Sequence, residues 1–592
     1  MRWLPLLAVV LLAAGLRFYR IDAQSLWYDE GISAFQLTRS YPDILYAAAG
    51  DTHPPLYYWT LKAWGETVGA SELGLRALSA MWGIVAVALT WLIGRRLFGP
   101  LVAVIAAGLL TVAPLAVYYS QEVRMYGQVT ALGLLAAYAY TRRQYWLYAL
   151  AGAATLYTQY LGLAMLAALN LHALLFMRER RAWLRWIAAN AAVGVAFLPW
   201  LPTFIAQQTH ALNTRPRTAE ELALQTLSAY GGGIARADLL LWTGAVLVGL
   251  ASFGFALSRS REATLALLLW LTPLGLVIGL GFRSGLFEPR YLVLGIPGLM
   301  LLAALGIVRL VRQPALAATL AALFVVPAGL ALNEQYFDAT LARDDYRGLV
   351  ESIEANARPT DAVVLSAPNQ VEIFTYYYKG PLPMIGLPAQ RPIDTADTLS
   401  RLTDIKKRYQ RVWLVSWAMN EADPRGMISA WLAENGFKAT HQWYGTVQLS
   451  LVGFQSDAGA TERLDVPLDN GVVLEGYRLP TRSLKAGESL ALTLVWRAPS
   501  GPTSMPWKVF THLVDAKPSV VAQRDAEPAD NLRPTTSWQV GEHIDDNYGI
   551  LLPDDLPPGT YALEIGMYNG DHRATFAGGD DHLLLGQVQV TR

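Results

Sequence analysis

Asp29 and Glu30 are adjacent acids set among aromatics, in Gln24-Ser25-Leu26-Trp27-Tyr28-Asp29-Glu30-Gly31, where the chain leaves its first apolar run. Further on, Gln121, Glu122, Arg124 and Tyr126 stand at the entrance of one apolar run, and Glu288-Pro289-Arg290-Tyr291 at the entrance of another. His53 lies in the same early loop as the acid pair. A carboxylate near arginines suits removal of a proton from a hydroxyl nucleophile. Two guanidiniums at helix ends suit a phosphate or pyrophosphate at a lipid surface, since each can make paired bonds to phosphate oxygens. Charge beside a bilayer is costly unless paired or facing water, so these groups are candidates for a site. Plainer readings stand beside this one: a solvated acidic loop, and Glu122–Arg124 and Glu288–Arg290 pairs that merely close a helix bundle.

The elements that must position these residues are mostly apolar helices. The 592-residue chain is 53% hydrophobic and only 16% charged, and the charge deficit falls in its first 335 residues. Runs at 3–16, 73–94, 101–117, 123–140, 145–157, 161–177, 182–204, 239–257, 263–281, 291–308 and 315–332 are eleven candidate membrane spans, with 145–157 the shortest for a crossing. The first reads as an uncleaved span, because the small-residue pattern of a signal-peptide cleavage site is poor and more spans follow. Arg95-Arg96, Arg142-Arg143, Arg178 to Arg185, Arg259 and Arg261, and Arg309 and Arg312 fall in alternate short loops, on the side of Arg2. Such an excess marks the cytoplasmic side, and eleven spans then put everything after Leu332 outside.

The first outer loop, 17–76, holds two helix-like segments at 44–49 and 56–68, the second suited to lying at the membrane interface. The outer loop 205–238 contains Gly231-Gly232-Gly233, readable as a hinge or as a plain connector. Residues 336–460 alternate strand and helix patterns, which predicts a small α/β domain with a largely parallel sheet and no nucleotide-binding motif. Residues 461–592 read as an antiparallel β-sandwich of short strands. Its Asp545-Asp546, Asp554-Asp555 and Asp580-Asp581 pairs are read as turns, better solvated than bound to calcium. The absence of cysteine excludes disulfides, iron–sulfur clusters and thiol catalysis, and zero net charge gives no field for nucleic acid.

Several motifs give the chain a family resemblance. They are Leu26-Trp27-Tyr28-Asp29-Glu30, His53-Pro54-Pro55-Leu56-Tyr57-Tyr58-Trp59, Gly69-Ala70-Ser71-Glu72-Leu73-Gly74-Leu75-Arg76, Tyr118 to Tyr126 and Pro289-Arg290-Tyr291-Leu292, in that order across the first 335 residues. With them the chain resembles a bacterial membrane glycosyltransferase of the GT-C superfamily, in the family 39-like group of protein O-mannosyltransferases and lipid A aminoarabinose transferases. The resemblance implies a GT-C-like domain over 1–335, a multi-pass protein of the cytoplasmic membrane, and extracytoplasmic C-terminal domains. It also implies an inverting transfer from a polyprenyl-phosphate sugar to a glycan, lipid or protein acceptor.

On that resemblance Asp29 is the general base, Glu30 either tunes it or replaces it, and Arg124 and Arg290 hold the donor phosphate. Tyr28, His53, Tyr58, Glu122, Tyr126, Glu288 and Tyr291 are candidates for supporting or substrate-binding roles. Many relatives have Lys-Pro-Pro where this chain has His53-Pro54-Pro55, which weakens a direct phosphate contact by the neutral imidazole. A divalent metal held by His53 and an acid is the one cofactor considered. A transporter or lipid-linked sugar flippase is the competing class, and a non-catalytic glycan-binding or assembly protein a third. Charges near one face rather than at midplane, and no internal repeat, weigh against transport.

Overall fold

A computed structural model describes residues 3–591 except 209–214, 237, 312, 391 and 456–458. Arg2 and Arg312 of the arginine pattern, and part of the 205–238 loop, lie outside the described residues. Two compact units divide the chain, Met1–Arg343 and Asp344–Arg592.

Each of the eleven apolar runs holds helix, but the helices differ in reach. Among the described residues six stretches are long and apolar enough to cross a membrane: Glu72–Leu97, Arg180–Gln208, Leu240–Ser258, Arg261–Ser284, Pro289–Leu310 and Pro314–Phe337. Leu4–Phe18, Pro100–Val112 and Tyr160–Phe176 are apolar but shorter. The remaining two, Tyr126–Thr141 and Tyr145–Thr158, also fall short of the roughly 20 residues that span hydrocarbon. The first unit is therefore that of a multi-pass membrane protein.

Helix starts follow the sequence. Ser71 and Ser260 cap their helices by accepting from the backbone N–H of Gly74 and Ala263, each at 3.1 Å. Helix packing uses small residues: a Cβ on Gly306 would lie 2.1 Å from the carbonyl oxygen of Leu250. The Gly231 to Gly233 triplet is not a hinge. Gly231 and Gly232 end the Ala219–Gly232 helix, and a Cβ on Gly231 would sit 1.8 Å from the Leu240 carbonyl oxygen. Glycine there permits close helix contact rather than motion.

Four of the arginine-bearing turns gather at one end of this unit. Arg96 Nε donates to the Thr141 carbonyl at 2.9 Å, Arg143 pairs with Glu179 at 2.9 Å, and a His172 nitrogen lies 2.8 Å from the Arg261 carbonyl oxygen. Helices then return to the opposite end, where the first loop lies. That loop folds as Tyr28–Phe35, Tyr41–Gly50 and Leu56–Val68, the last burying Tyr57, Tyr58, Leu61 and Gly65.

In the second unit a five-stranded sheet runs β2-β1-β3-β5-β4, with β1 Asp361–Ser366, β2 Met384–Leu387, β3 Arg411–Ser416, β4 Phe437–Tyr444 and β5 Val447–Gly453. The β1–β2 and β1–β3 pairings are parallel, but β3–β5 and β5–β4 are antiparallel, so the sheet is mixed rather than largely parallel. The tight Gly445 turn (φ 77°) joins β4 and β5 as a hairpin, which makes that pair antiparallel.

The sandwich follows. One sheet contains β6 Glu462–Pro467, β7 Val473–Arg478, β9 Ser489–Ala498 and β12 Glu542–Leu551, in the order β12-β9-β7-β6. The other contains β8 Ser483–Lys485, β10 Lys508–Val514, β11 Val520–Ala526, β13 Gly559–Asn569, β14 His572–Arg573 and β15 Leu583–Thr591. Trp496, Trp538, Leu494, Leu563, Ile565 and Val588 fill the space between them. Asp545-Asp546 is not a turn but lies mid-strand in β12, with Asp546 buried. Its carboxylate accepts from Ala529 N–H at 2.8 Å, Trp496 Nε1 at 3.1 Å and Tyr548 OH at 2.7 Å, which removes it from solvent. Asp581 of the last pair is engaged by Arg573 at 3.0 Å.

Candidate active site

Tyr28–Phe35 begins with Asp29 and Glu30 in its first turn, where carboxylates are favoured by the unpaired N–H groups of a helix start. Consecutive helical residues point about 100° apart, so the two acids diverge. Their surroundings differ accordingly.

Glu30 is sealed. One oxygen accepts from Arg76 Nε and from Val123 N–H, each at 2.8 Å; the other accepts from Arg76 Nη2 at 2.6 Å. Both side chains of the pair are fully buried. Arg76 also donates to the carbonyls of Ile21, Gln24 and Ser25, so it ties the entry of the first loop to the helix that follows it. Burial alone would raise the Glu30 pKa, but the Arg76 charge and hydrogen bonds, with Arg343 and Val123 N–H, hold it below the ordinary value. A carboxylate with no exposure and both oxygens engaged cannot collect a proton from an incoming hydroxyl. That geometry disfavours the reading of Glu30 as an alternative base and ties the start of its helix to Arg76 and to the Val123 turn.

Asp29 is open. Its side chain keeps 20% exposure, and Oδ2 accepts from Arg290 Nη1 at 2.9 Å, with Arg124 Nη2 at 3.8 Å. Arg124 also donates to the Asp29 backbone carbonyl at 3.2 Å. The pairings expected of a mere bundle closure are not the ones formed: both arginines converge on Asp29. Arg124 leaves the turn between Pro114–Tyr118 and Tyr126–Thr141, and Arg290 leaves the tight helical turn Pro289–Gly295. Glu30 holds the first of these turns through Val123, and Ser79 holds it again by donating to the Arg124 carbonyl at 3.0 Å. Arg124 Nε and Arg290 Nε are buried without a hydrogen-bond partner among the described residues.

His53 Nε2 sits 3.5 Å from Arg124 Nη2, while Nδ1 faces Asp51 at 3.5 Å and Thr52 Oγ1 at 3.0 Å. Burial and the Arg124 charge lower the His53 pKa, and the His53 contacts hold Asp51 at about 2 against the opposing effect of burial. Tyr58 OH donates to the same Asp51 carboxylate at 3.2 Å. A cation on His53 would have to displace a guanidinium, and among the described residues no group of three His, Asp or Glu is gathered as metal ligands are. These residues do not fit a metal site. His53 instead spaces Arg124 from Asp51.

Glu122 is buried, with one oxygen 3.3 Å from Arg343 Nη2 and the other without a hydrogen-bond partner among the described residues. Burial pushes its pKa up to about 7, against the Arg343 charge and with the charges of Glu30 and Asp29. Tyr126 is buried edge-on to Tyr119, ring centres 5.5 Å apart. Tyr291 lies under the Arg290 guanidinium at 5.7 Å. Tyr28 is half-buried at the start of its helix, and Glu288 precedes the turn that carries Arg290, its backbone carbonyl accepting from Tyr291 N–H at 3.0 Å. Asp51, Arg76 and Arg343 complete the cluster and were not among the sequence-based candidates. Arg76 had one signal, an arginine closing a motif beside an apolar run; Arg343 had none.

Residues 52–205 match the family model of dolichyl-phosphate-mannose-protein mannosyltransferases. Among solved structures, apo ArnT from Cupriavidus metallidurans aligns at TM-score 0.54 and 14% identity, over 75% of this chain and 97% of that one. The same protein bound to undecaprenyl phosphate aligns at TM-score 0.54 and 15% identity, over 76% and 98%. No curated protein matches the sequence. The likeness to ArnT shows a shared fold over about three quarters of this chain, and the family match falls within the first unit.

Proposed function

We propose that this chain is an inverting glycosyltransferase that moves a hexose or pentose from a polyprenyl-phosphate donor to an acceptor hydroxyl at the outer face of the cytoplasmic membrane. The observation that carries the reading is the convergence of Arg124 and Arg290 on a partly exposed Asp29. The lipid-carrier complex of the ArnT fold supports a polyprenyl phosphate as the anion. The gathering of arginine-bearing turns at the opposite end supports the outer location, with eleven crossings.

In this reading the donor phosphate takes the guanidiniums, each of which still has an Nε–H to give. Arg290 then leaves Asp29 Oδ2, and that oxygen becomes free to accept the acceptor's hydroxyl proton. The acceptor oxygen attacks the anomeric carbon from the face opposite the phosphate; the carbon–oxygen bond to phosphate breaks, and the electron pair leaves with the phosphate. Arg124 and Arg290 offset the growing negative charge. Glu30 and Arg76 keep the Asp29 helix and the Arg124 turn in register. The acceptor, whether glycan, lipid or protein, is selected by the second unit.

The test uses purified chain in nanodiscs with a panel of polyprenyl-phosphate sugars, recording donor binding and release of free polyprenyl phosphate. Asp29→Asn is expected to retain donor binding and lose about 10²–10⁴-fold in turnover, the usual contribution of a general base. Arg290→Ala is expected to lose binding as well. Failure of well-folded wild type to bind any donor in the panel would overturn the reading.

A further inference from the structure

The second unit contains a cavity of about 440 Å³ where the mixed sheet meets the sandwich, which falls within the usual size range of small-ligand sites. One wall is built from the loop before β1, the starts of β3 and β4 and the end of β5; the other comes from β8 and the start of β9. Both walls are strand-borne, and the junction is stiff. Asn547 on β12 donates to the carbonyls of Ala433 and Glu434 at 3.2 and 3.0 Å, and Arg358 Nη2 donates to the Gly487 carbonyl at 2.6 Å. A Cβ on Gly549 would lie 2.8 Å from the Phe437 carbonyl oxygen, so β12 and β4 touch backbone to backbone. The cavity is preformed.

Its charges are already spent on each other. Arg411 makes a two-point pair with Asp361 at 3.0 and 2.7 Å, and Arg358 faces Glu488 at 3.9 Å. Each cation that lines it thus faces an acid, which offsets its pull on a phosphate or carboxylate. What remains is neutral hydrogen-bonding capacity: the amide nitrogen of the exposed Gln410, and Ser489 Oγ, which is buried without a partner among the described residues; the Thr481 hydroxyl at the rim is already bonded to the Ser483 backbone. The rings of Phe437 and Phe454 add apolar wall. A ligand that matches neutral donors and acceptors on one side and an apolar ring face on the other is a cyclic polyol.

We infer that this cavity binds a neutral sugar unit of a glycan, independently of the membrane-side cluster around Asp29. Its free Ser489 hydroxyl finds its partner in a sugar hydroxyl, and the phenylalanine rings receive the carbon–hydrogen face of the pyranose. Binding here does not depend on the proposed transfer reaction, so the two readings fail separately.

The experiment is saturation-transfer NMR on the full chain in nanodiscs with glucose, galactose, mannose and N-acetylglucosamine disaccharides, and with inorganic phosphate as the anionic probe. Wild type is expected to transfer saturation to at least one sugar, and phosphate is expected not to compete. Thr481→Trp, which fills the cavity from its rim, is expected to abolish the signal at unchanged thermal stability. Ser489→Ala is expected to weaken binding about 2–10-fold, the loss of one neutral hydrogen bond. Asp29→Asn is expected to bind as wild type does. No signal with any sugar, a signal that survives Thr481→Trp, competition by phosphate, or a signal lost in Asp29→Asn would each overturn the inference.

Discussion

Glu30 in the membrane unit and Asp546 in the sandwich are both fully buried carboxylates, and the protein accommodates them by opposite means. Glu30 is given a cation: Arg76 meets it with two nitrogens, and the pair is buried whole. Asp546 is given neutral donors, from Ala529 N–H, Trp496 and Tyr548, and no guanidinium. The first stays ionised below the ordinary glutamate range. The second is pushed up to about 6, chiefly by burial, although its three hydrogen bonds pull the other way. A paired charge can anchor a loop beside the Asp29 cluster without changing protonation at neutral pH. A carboxyl held by neutral dipoles packs a sandwich core but leaves the fold sensitive to pH.

The largest effect should come from breaking the first arrangement. Arg76→Ala leaves Glu30 buried and unpaired, which typically costs about 3–5 kcal/mol, and it also strips the donors from three loop carbonyls. Thermal unfolding in detergent, read by loss of the monodisperse elution peak, should show Arg76→Ala far below wild type. The Glu30→Gln, Arg76→Met double variant should recover part of the loss. A single variant as stable as wild type would remove Glu30–Arg76 from its anchoring role.

The second arrangement predicts a pH slope of opposite sign. Between pH 3.8 and about 6 the folded chain holds the Asp546 proton that the unfolded chain has lost, so stability falls as pH rises through that window. A pKa displaced that far corresponds to at most about 3 kcal/mol. Glu30 works the other way: its contribution is present above 4.5 and is lost as pH falls through its lowered value. Comparing wild type with Asp546→Asn from pH 4 to 7 isolates the first slope. The wild-type minus variant difference in unfolding temperature should decline across that range, and a flat difference would mean that Asp546 is not held as a neutral acid.

This contrast also marks what the sequence could reveal. Apolar runs and alternating arginines are local composition, and each run proved helical. The convergence of residues 29, 124 and 290 was legible because each stands at the mouth of a run, where charge is expensive. The divergence of Asp29 from its neighbour was not. It depends on a helix starting at Tyr28, and on Arg76, 46 residues away, reaching Glu30. Arg343 was invisible for the same reason, since its partner Glu122 is 221 residues distant. Asp545-Asp546 misled because two acids in a row look like a turn; only the cross-strand partners Trp496 and Tyr548 make such a residue tolerable inside a strand. The Gly231 triplet misled in the same way, since glycine serves close packing as well as motion.

The smallest effect tests whether burial, rather than pairing as such, sets these energies. Arg143 and Glu179 form an ion pair at 2.9 Å, comparable in length to the Arg76–Glu30 contacts, but their side chains are 69% and 55% exposed. Water screens both charges, and holding two long side chains in one geometry costs entropy, so such a pair is worth little. Glu179→Gln should therefore leave unfolding within about 0.5 kcal/mol of wild type, as read by the same elution assay and insensitive to added salt. A loss approaching that of Arg76→Ala would mean that the turn between residues 141 and 145 anchors the bundle through this pair. The contrast between sealed and open carboxylates would then need to be redrawn around position in the fold instead of solvent access.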